Sequence, residues 1–256
     1  VVILAGGFGT RLDEETQNKP KPMVEIGGRP ILWHIMKIYS HFNFNEFVIC
    51  LGYRGHMVKE YFYHHFLYHS NITMDLAENK MTCISSRAEP WKVHLIDTGL
   101  DTMTGGRVKR VKKFIGNETF MMTYGDGVGD VDIPALLKFH KRNKKIVTLT
   151  AVQPIGRFGA LNFNREKNIT KFQEKAKGDL SWINGGFYVF EPKIFDYLSK
   201  DQTILEKDTI EELSKRHQVA AYKHNSFWKC MDHPRDKAEL EELWCSGKAG
   251  WKIWKD

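Results

Sequence analysis

LAGGFGTRL, residues 4–12, follows the apolar start Val1-Val2-Ile3 and sets three glycines and an arginine directly after a β-rich run. Such a run emptying into Gly6, Gly7 and Gly9 reads as a buried strand that ends in a loop a ligand can approach closely. Successive backbone N–H groups in a loop of this kind can form a nest for an anion. Neither common phosphate loop fits. Gly7 and Gly9 match a dinucleotide fingerprint, and Glu25 stands at a plausible ribose distance, but Leu12 occupies the place of the third glycine. No Gly-Lys-Ser/Thr follows either, which excludes a P-loop.

Downstream segments extend this reading. Ile31, Ile35, Ile38 and Phe42 recur at helical spacing over 30–42, with Pro30 suited to a first turn. FVICL at 47–51 reads as a buried strand and 57–68 as a helix. TFMMTY at 119–124 runs into a Gly-Asp-Gly turn, followed by a helix over 133–140 and a strand over 146–152. Strands and helices in alternation predict an α/β fold, a mostly parallel Rossmann-like sheet flanked by helices with its ligand loops at the strands' carboxyl ends. Short runs at 72–76, 82–85, 93–97, 158–163, 169–173 and 186–190 are expected as small antiparallel additions beside that sheet. A charged amphipathic helix is expected over 236–244. With no repeat and no linker, residues 1–256 are expected to form a single domain.

Composition narrows the function classes. Hydrophobic residues at 42% and charged residues at 27% suit an ordinary globular core. No run approaches the ~18 to 20 apolar residues of a membrane span, and 1–5 is too short for a signal peptide's apolar region. The missing initiator methionine suggests that a residue or two precede Val1. Cys50, Cys83, Cys230 and Cys245 form no C-x-x-C pair, which predicts reduced thiols in a cytoplasmic setting. A net charge of +7 suits nucleic acid, acidic membranes or polyphosphate substrates without choosing among them. The basic run 107–113 has Val108 and Val111 three apart, as in a helix with a solvated basic face, and no RNA-binding signature accompanies it. Neither a nucleic-acid nor a membrane partner is expected. His64, His65 and His69 lie among Tyr61, Phe62, Tyr63, Phe66 and Tyr68, a composition that fits packing or a subunit interface better than a metal site. Trp251 and Trp254 are expected to dock on the domain or on a neighbouring subunit, and with the 61–69 segment they predict a homo-oligomer.

After the glycine loop comes Lys19-Pro20-Lys21-Pro22-Met23, stiffened by its two prolines, and then Val24-Glu25-Ile26-Gly27-Gly28-Arg29-Pro30. The pattern LAGG-x-GTRL, KPKPM, VEIGG-P resembles the signature of the sugar nucleotidyltransferases. Motifs at 103–107, 124–127, 156–160, 172–175, 183–187 and 227–232 keep that family's order. Ala176 and His233-Pro234 depart from its usual residues. The resemblance implies a nucleotide-diphospho-sugar transferase type of fold, with 1–150 mainly nucleotide-binding and 151–256 mainly sugar-binding. It is nearest to the cytidylyl branch, which implies CTP and glucose 1-phosphate as substrates, CDP-glucose and pyrophosphate as products, and Mg²⁺ as cofactor. A sibling using dTTP or UTP and a catalytically silent nucleotide-binding regulator are the alternatives.

In such a reaction the sugar phosphate is already an anion, so no general base is needed. The obstacle is repulsion between two polyanions, met by positioning and positive charge. Arg11, with a planar fork, and Lys21, a compact charge, are the catalytic candidates. Asp126, between two glycines at a strand end, and Asp232 are the expected Mg²⁺ ligands. The run 126–132 faintly resembles a calcium loop but lacks the glutamate at its twelfth position. By resemblance, Leu4, Ala5, Gly6, Gly7, Gly9, Thr10, Thr102, Arg107 and Gly125 meet the nucleotide. Gly159, Glu174, Lys175 and Asn184 meet the sugar phosphate and the glucose.

Overall fold

The computed structural model describes residues 1–12, 15–154, 160–163, 169–173 and 181–255. The chain opens with β1 (Val2–Ala5), a β2–β3 ribbon (Glu25–Ile26, Arg29–Pro30), α1 (Ile31–His41), β4 (Glu46–Leu51) and α2 (Gly55–Tyr68). A hairpin of β5 (Ser70–Asp75) and β6 (Lys80–Ser86) precedes β7 (Lys92–Asp97), α3 (Thr104–Arg110) and α4 (Lys112–Ile115). Next come β8 (Phe120–Tyr124), β9 (Gly127–Gly129), α5 (Ile133–Asn143) and β10 (Val147–Val152). The last stretch carries β11 (Ala160–Phe163), β12 (Ile169–Gln173), β13 (Ile183–Phe190), α6 (Glu211–Lys215), β14 (Val219–His224), β15 (Trp228–Cys230) and α7 (Pro234–Cys245).

Seven strands form one sheet in the order β14-β10-β13-β8-β1-β4-β7. β1 lies parallel to both β4 and β8, β7 parallel to β4, and β14 parallel to β10. Only β13 runs antiparallel within it, between β10 and β8. Two expectations are thereby corrected. The run 93–97 is a parallel edge strand of the main sheet, and 186–190 belongs to a central strand rather than an addition beside it. Tyr188, Val189 and Phe190 are buried, as a central strand covered on both faces requires. The small antiparallel ribbons that were expected are β5–β6 and β11–β12.

Alternation along each strand sorts side chains onto two faces. Ile3 and Ala5, with Phe47, Ile49 and Leu51, pack against Ile31, Leu32 and Ile35 of α1 and Leu240 of α7. Val2 and Leu4, with Val48 and Cys50, pack against Val108 of α3, Ile194, Phe195 and Leu213 of α6. Trp251 and Trp254 are 1% and 6% exposed in the first of these clusters. Of the two placements expected for the tryptophan tail, the structure shows docking on its own domain and not a subunit interface. Trp254 meets Trp33 edge-on at 5.6 Å, and the Trp251 indole donates to His34 Nδ1 at 3.3 Å. The run 107–113 is helical as expected, divided between α3 and α4, with Arg110 paired to Asp201 at 2.6 Å.

Candidate active site

The carboxyl ends of β1, β7 and β8 converge on one cavity of about 520 Å³. Leu4 to Gly7, Gly9 and Thr10 line one side, and Thr102 and Arg107 line another; Gly125 and Asp126 form part of its floor. The loop turns back at Gly9, whose φ of +69° is left-handed and suits glycine. Thr16 Oγ1 donates to the Gly9 carbonyl at 3.0 Å and closes that turn. The Gly125 N–H donates to the Leu4 carbonyl at 3.0 Å, which ties the ends of β1 and β8 together.

Lys21 enters on a short helical turn, Lys21–Met23, whose Pro22 and Met23 are buried. Its ammonium donates to Asp126 Oδ2 and to Asp232 Oδ1, each at 2.6 Å. The two aspartates lie 106 positions apart in the chain and are brought together by the β9–β15 ribbon, in which Cys230 pairs with Gly127. Met231 N–H then donates to the Asp126 carbonyl at 2.8 Å. His233-Pro234 has a role in this junction. α7 starts at Pro234, and Asp236 Oδ2 accepts from the N–H groups of His233 at 2.9 Å and Asp232 at 3.1 Å. Burial works against the charge on Lys21, but the two carboxylates outweigh it and hold its pKa above the ordinary lysine value. The same surroundings, burial first and Asp232 next, push the Cys230 thiol up to about 12, so it is an inert neighbour.

Asp126 and Asp232 fit a divalent cation. A cation, the Lys21 ammonium, already sits between their oxygens, and two carboxylates leave open the positions that phosphates and waters fill around Mg²⁺.

Arg107 lines the cavity, but its guanidinium is engaged by the protein's own acceptors. The Gly105-Gly106 pair lies inside the first turn of α3, where a Cβ on Gly106 would stand 2.2 Å from the Asp201 carbonyl oxygen. Arg107 is 5% exposed, and its guanidinium donates to the carbonyls of Gly6, Leu51, Gly99 and Leu100 and to Thr98 Oγ1, at 2.8 to 3.1 Å. It fastens the loops after β1, β4 and β7 to one another and reaches the cavity only as part of its wall.

Asn184 is exposed at the start of β13 and joins the cavity through two tyrosines. Its amide donates to the Tyr188 hydroxyl, which lies 3.1 Å from the Tyr124 hydroxyl, and Tyr124 donates to Glu206. Thr104 Oγ1 donates to the other oxygen of Glu206 at 2.8 Å. Tyr124, Leu100 and Met103 line the cavity but were not assigned to it from sequence. Leu100 and Met103, 49% and 46% exposed, give it an apolar wall. Their signal was their place after a parallel strand, lost when 93–97 was read as antiparallel. The Arg11 side chain, and Gly159, Glu174, Lys175 and Ala176, lie outside the described residues.

A glycine loop, a lysine between two carboxylates and a cavity at the carboxyl edge of a parallel sheet make an arrangement that can hold a phosphorylated nucleotide. The chain belongs to the nucleotidyl transferase family of enzymes, whose model matches residues 1–256. It is 52% identical over 255 residues to the glucose-1-phosphate cytidylyltransferases of Salmonella typhimurium and Salmonella typhi, covering 99% of this chain and 99% of each of theirs. In fold it is similar to HddC from Yersinia pseudotuberculosis, with a TM-score of 0.67 at 21% identity over 95% of this chain and 98% of that one.

Proposed function

We propose that this chain transfers a cytidylyl group from CTP to α-D-glucose 1-phosphate, giving CDP-glucose and pyrophosphate. The observation that carries this reading is the Lys21 ammonium held 2.6 Å from both Asp126 and Asp232 in the lining of the glycine-loop cavity. The identity of 52% to the Salmonella enzymes supports the choice of substrates. A phosphate oxygen of glucose 1-phosphate attacks the α-phosphorus of CTP, and the bond from that phosphorus to the bridging oxygen of the leaving pyrophosphate breaks. The glycine loop cradles the triphosphate. Lys21 supplies positive charge where it develops on the α-phosphate, and Arg11 bridges phosphate oxygens in the same role. Mg²⁺, held by Asp126 and Asp232, would supply neutralising charge to the phosphates. Glu174, Lys175, Asn184 and Gly159 form the sugar side, and Leu4, Ala5, Thr10, Thr102 and Gly125 the nucleotide side. The protein works in the cytoplasm, where CTP is available; among the described residues no helix is long and apolar enough to cross a membrane.

Cytosine is chosen by the backbone near Thr102. Gly6 O already accepts from Tyr53 N–H and Arg107, Leu4 O from Gly125 N–H, and Met103 O from Arg107 N–H. The carbonyls of Asp101 and Thr102 accept no hydrogen bond among the described residues and stand available to the N4 amino group. A mismatched base edge leaves buried polar groups unsatisfied at ~1 to 3 kcal/mol. CTP should therefore be preferred over UTP and dTTP by at least roughly tenfold in kcat/KM. Equal rates with CTP and dTTP would overturn the cytidylyl assignment and leave a nucleotidyltransferase of other base preference.

The chain also assembles with copies of itself. The β5–β6 hairpin shares no ladder with the main sheet, and an isolated two-stranded ribbon is marginal in water. Tyr63 and Tyr68 of α2 and Leu76 and Ile84 of the hairpin are 69% to 83% exposed, an apolar surface that a second copy would cover.

A further inference from the structure

A second cavity, of about 940 Å³, lies at the opposite edge of the sheet from the glycine loop. It opens where β8 and β10 begin, between Thr119 and Ile146, and Gln218 just before β14 also lines it. Strand β8 separates the two sites: its carboxyl end leads to Asp126, and its amino end to Thr119. Five residues of strand span roughly 17 Å, so no ligand in one cavity touches the floor of the other.

Lys141, Lys144, Lys145 and Lys193 line this cavity, and none has an ion pair or hydrogen-bond partner of its side chain among the described residues. Lys141 and Lys144 lie at the carboxyl end of α5, where cations favourably oppose the helix dipole. That leaves Lys145 and Lys193 unexplained, since they come from the loop before β10 and from the helical turn after β13. Arg216 is occupied, with its guanidinium on Glu212 at 2.6 and 2.7 Å. Glu191, the one carboxylate among the described residues that line the cavity, is also occupied. Thr119 Oγ1 donates to it at 3.0 Å, and His140 Nε2 lies 2.9 Å from the same oxygen. Four ammonium groups facing one hollow repel each other until an anion enters. Asn117 and Gln218 add neutral donors, and Tyr197 and Ile146 give an apolar wall.

We infer that this cavity is a second anion site, which takes a small oligophosphate, free or carried on a nucleoside, separately from catalysis. Three elements contribute the charges, so the site recognises more than one phosphate at once. Titration calorimetry of the full chain with inorganic pyrophosphate at low salt should find two sites per chain. The triple variant Lys144→Glu/Lys145→Glu/Lys193→Glu should lose one of them or weaken it at least about tenfold. The same variant should keep its CTP affinity and turnover, which shows that it is folded and that the two sites are separate. Titration with CDP tells a nucleoside-borne group from a free one: tighter binding than pyrophosphate, lost in the variant, assigns the nucleoside form. One pyrophosphate site with an unchanged affinity in the variant would overturn the inference. Variant-sensitive binding of a single-stranded RNA oligomer without any second pyrophosphate site would overturn it in favour of a nucleic-acid surface.

Discussion

Lys21 carries one positive charge between two carboxylates, one from the middle of the chain and one from near its carboxyl end, and both accept from its ammonium. Removing it takes away the ammonium that Asp126 and Asp232 hold in place, while the glycine loop and the apolar wall stay intact. Lys21→Ala should therefore lower kcat by at least about a hundredfold, the range for one lost transition-state donor, with a much smaller change in CTP affinity. Rapid-quench turnover beside equilibrium CTP binding separates the two. Equal losses in both would make Lys21 a plain binding residue. At this scale the sequence is a good guide to charged groups at strand ends and a poor one to buried polar groups. Lys21, Asp126 and Asp232 could be nominated from residue type and position. Arg107 reads as a nucleotide contact, because nothing in its neighbours reveals that five acceptors from three stretches of chain already claim it.

Among elements, the carboxyl-terminal tail shows how a single buried histidine ties stability to pH. His34 of α1 is fully buried; its Nε2 N–H donates to the Ile26 carbonyl at 2.8 Å, and its Nδ1 accepts from Trp251. Desolvation lowers its pKa from 6.5 to about 4, and the contact with Ile26 only partly offsets this. The fold keeps the ring neutral, so the stability tied to it is whole above pH 6.5 and is lost as the pH falls towards 4. The full loss is on the order of 3 kcal/mol. Urea melts at pH 7.5, 5.5 and 4.5 should show a stepwise decline that is flatter in His34→Gln. An identical slope in both would place the sensitivity elsewhere. Periodicity gave the helices at α1, α2, α5 and α7 and the parallel strands β1, β4, β8 and β10 within a few residues. It missed the direction of β7 and the central place of β13, whose antiparallel pairing was as expected, because a short apolar run marks neither its partner nor, for β7, its direction. The tryptophan tail has two expected placements for a related reason: amphipathic and aromatic composition says that a segment is covered but not by which chain.

For the whole molecule, one edge of the sheet carries the glycine-loop cavity and the other a basic one, while α2 and the β5–β6 hairpin expose apolar residues that line neither. That surface should make the protein oligomeric. Light scattering after size exclusion should give a mass above 29.8 kDa at micromolar concentration, and charged replacements at Tyr68 and Ile84 should bring it down to that value. A monomer at every concentration would show that the hairpin stands alone. The chemistry is tested most directly by following the α-phosphate of CTP. With glucose 1-phosphate and Mg²⁺ present, label from α-³²P-CTP should appear in CDP-glucose, with one pyrophosphate released for each molecule formed. Pyrophosphate released with the label in CMP, or no turnover of CTP while dTTP or UTP reacts, would contradict cytidylyl transfer to glucose 1-phosphate.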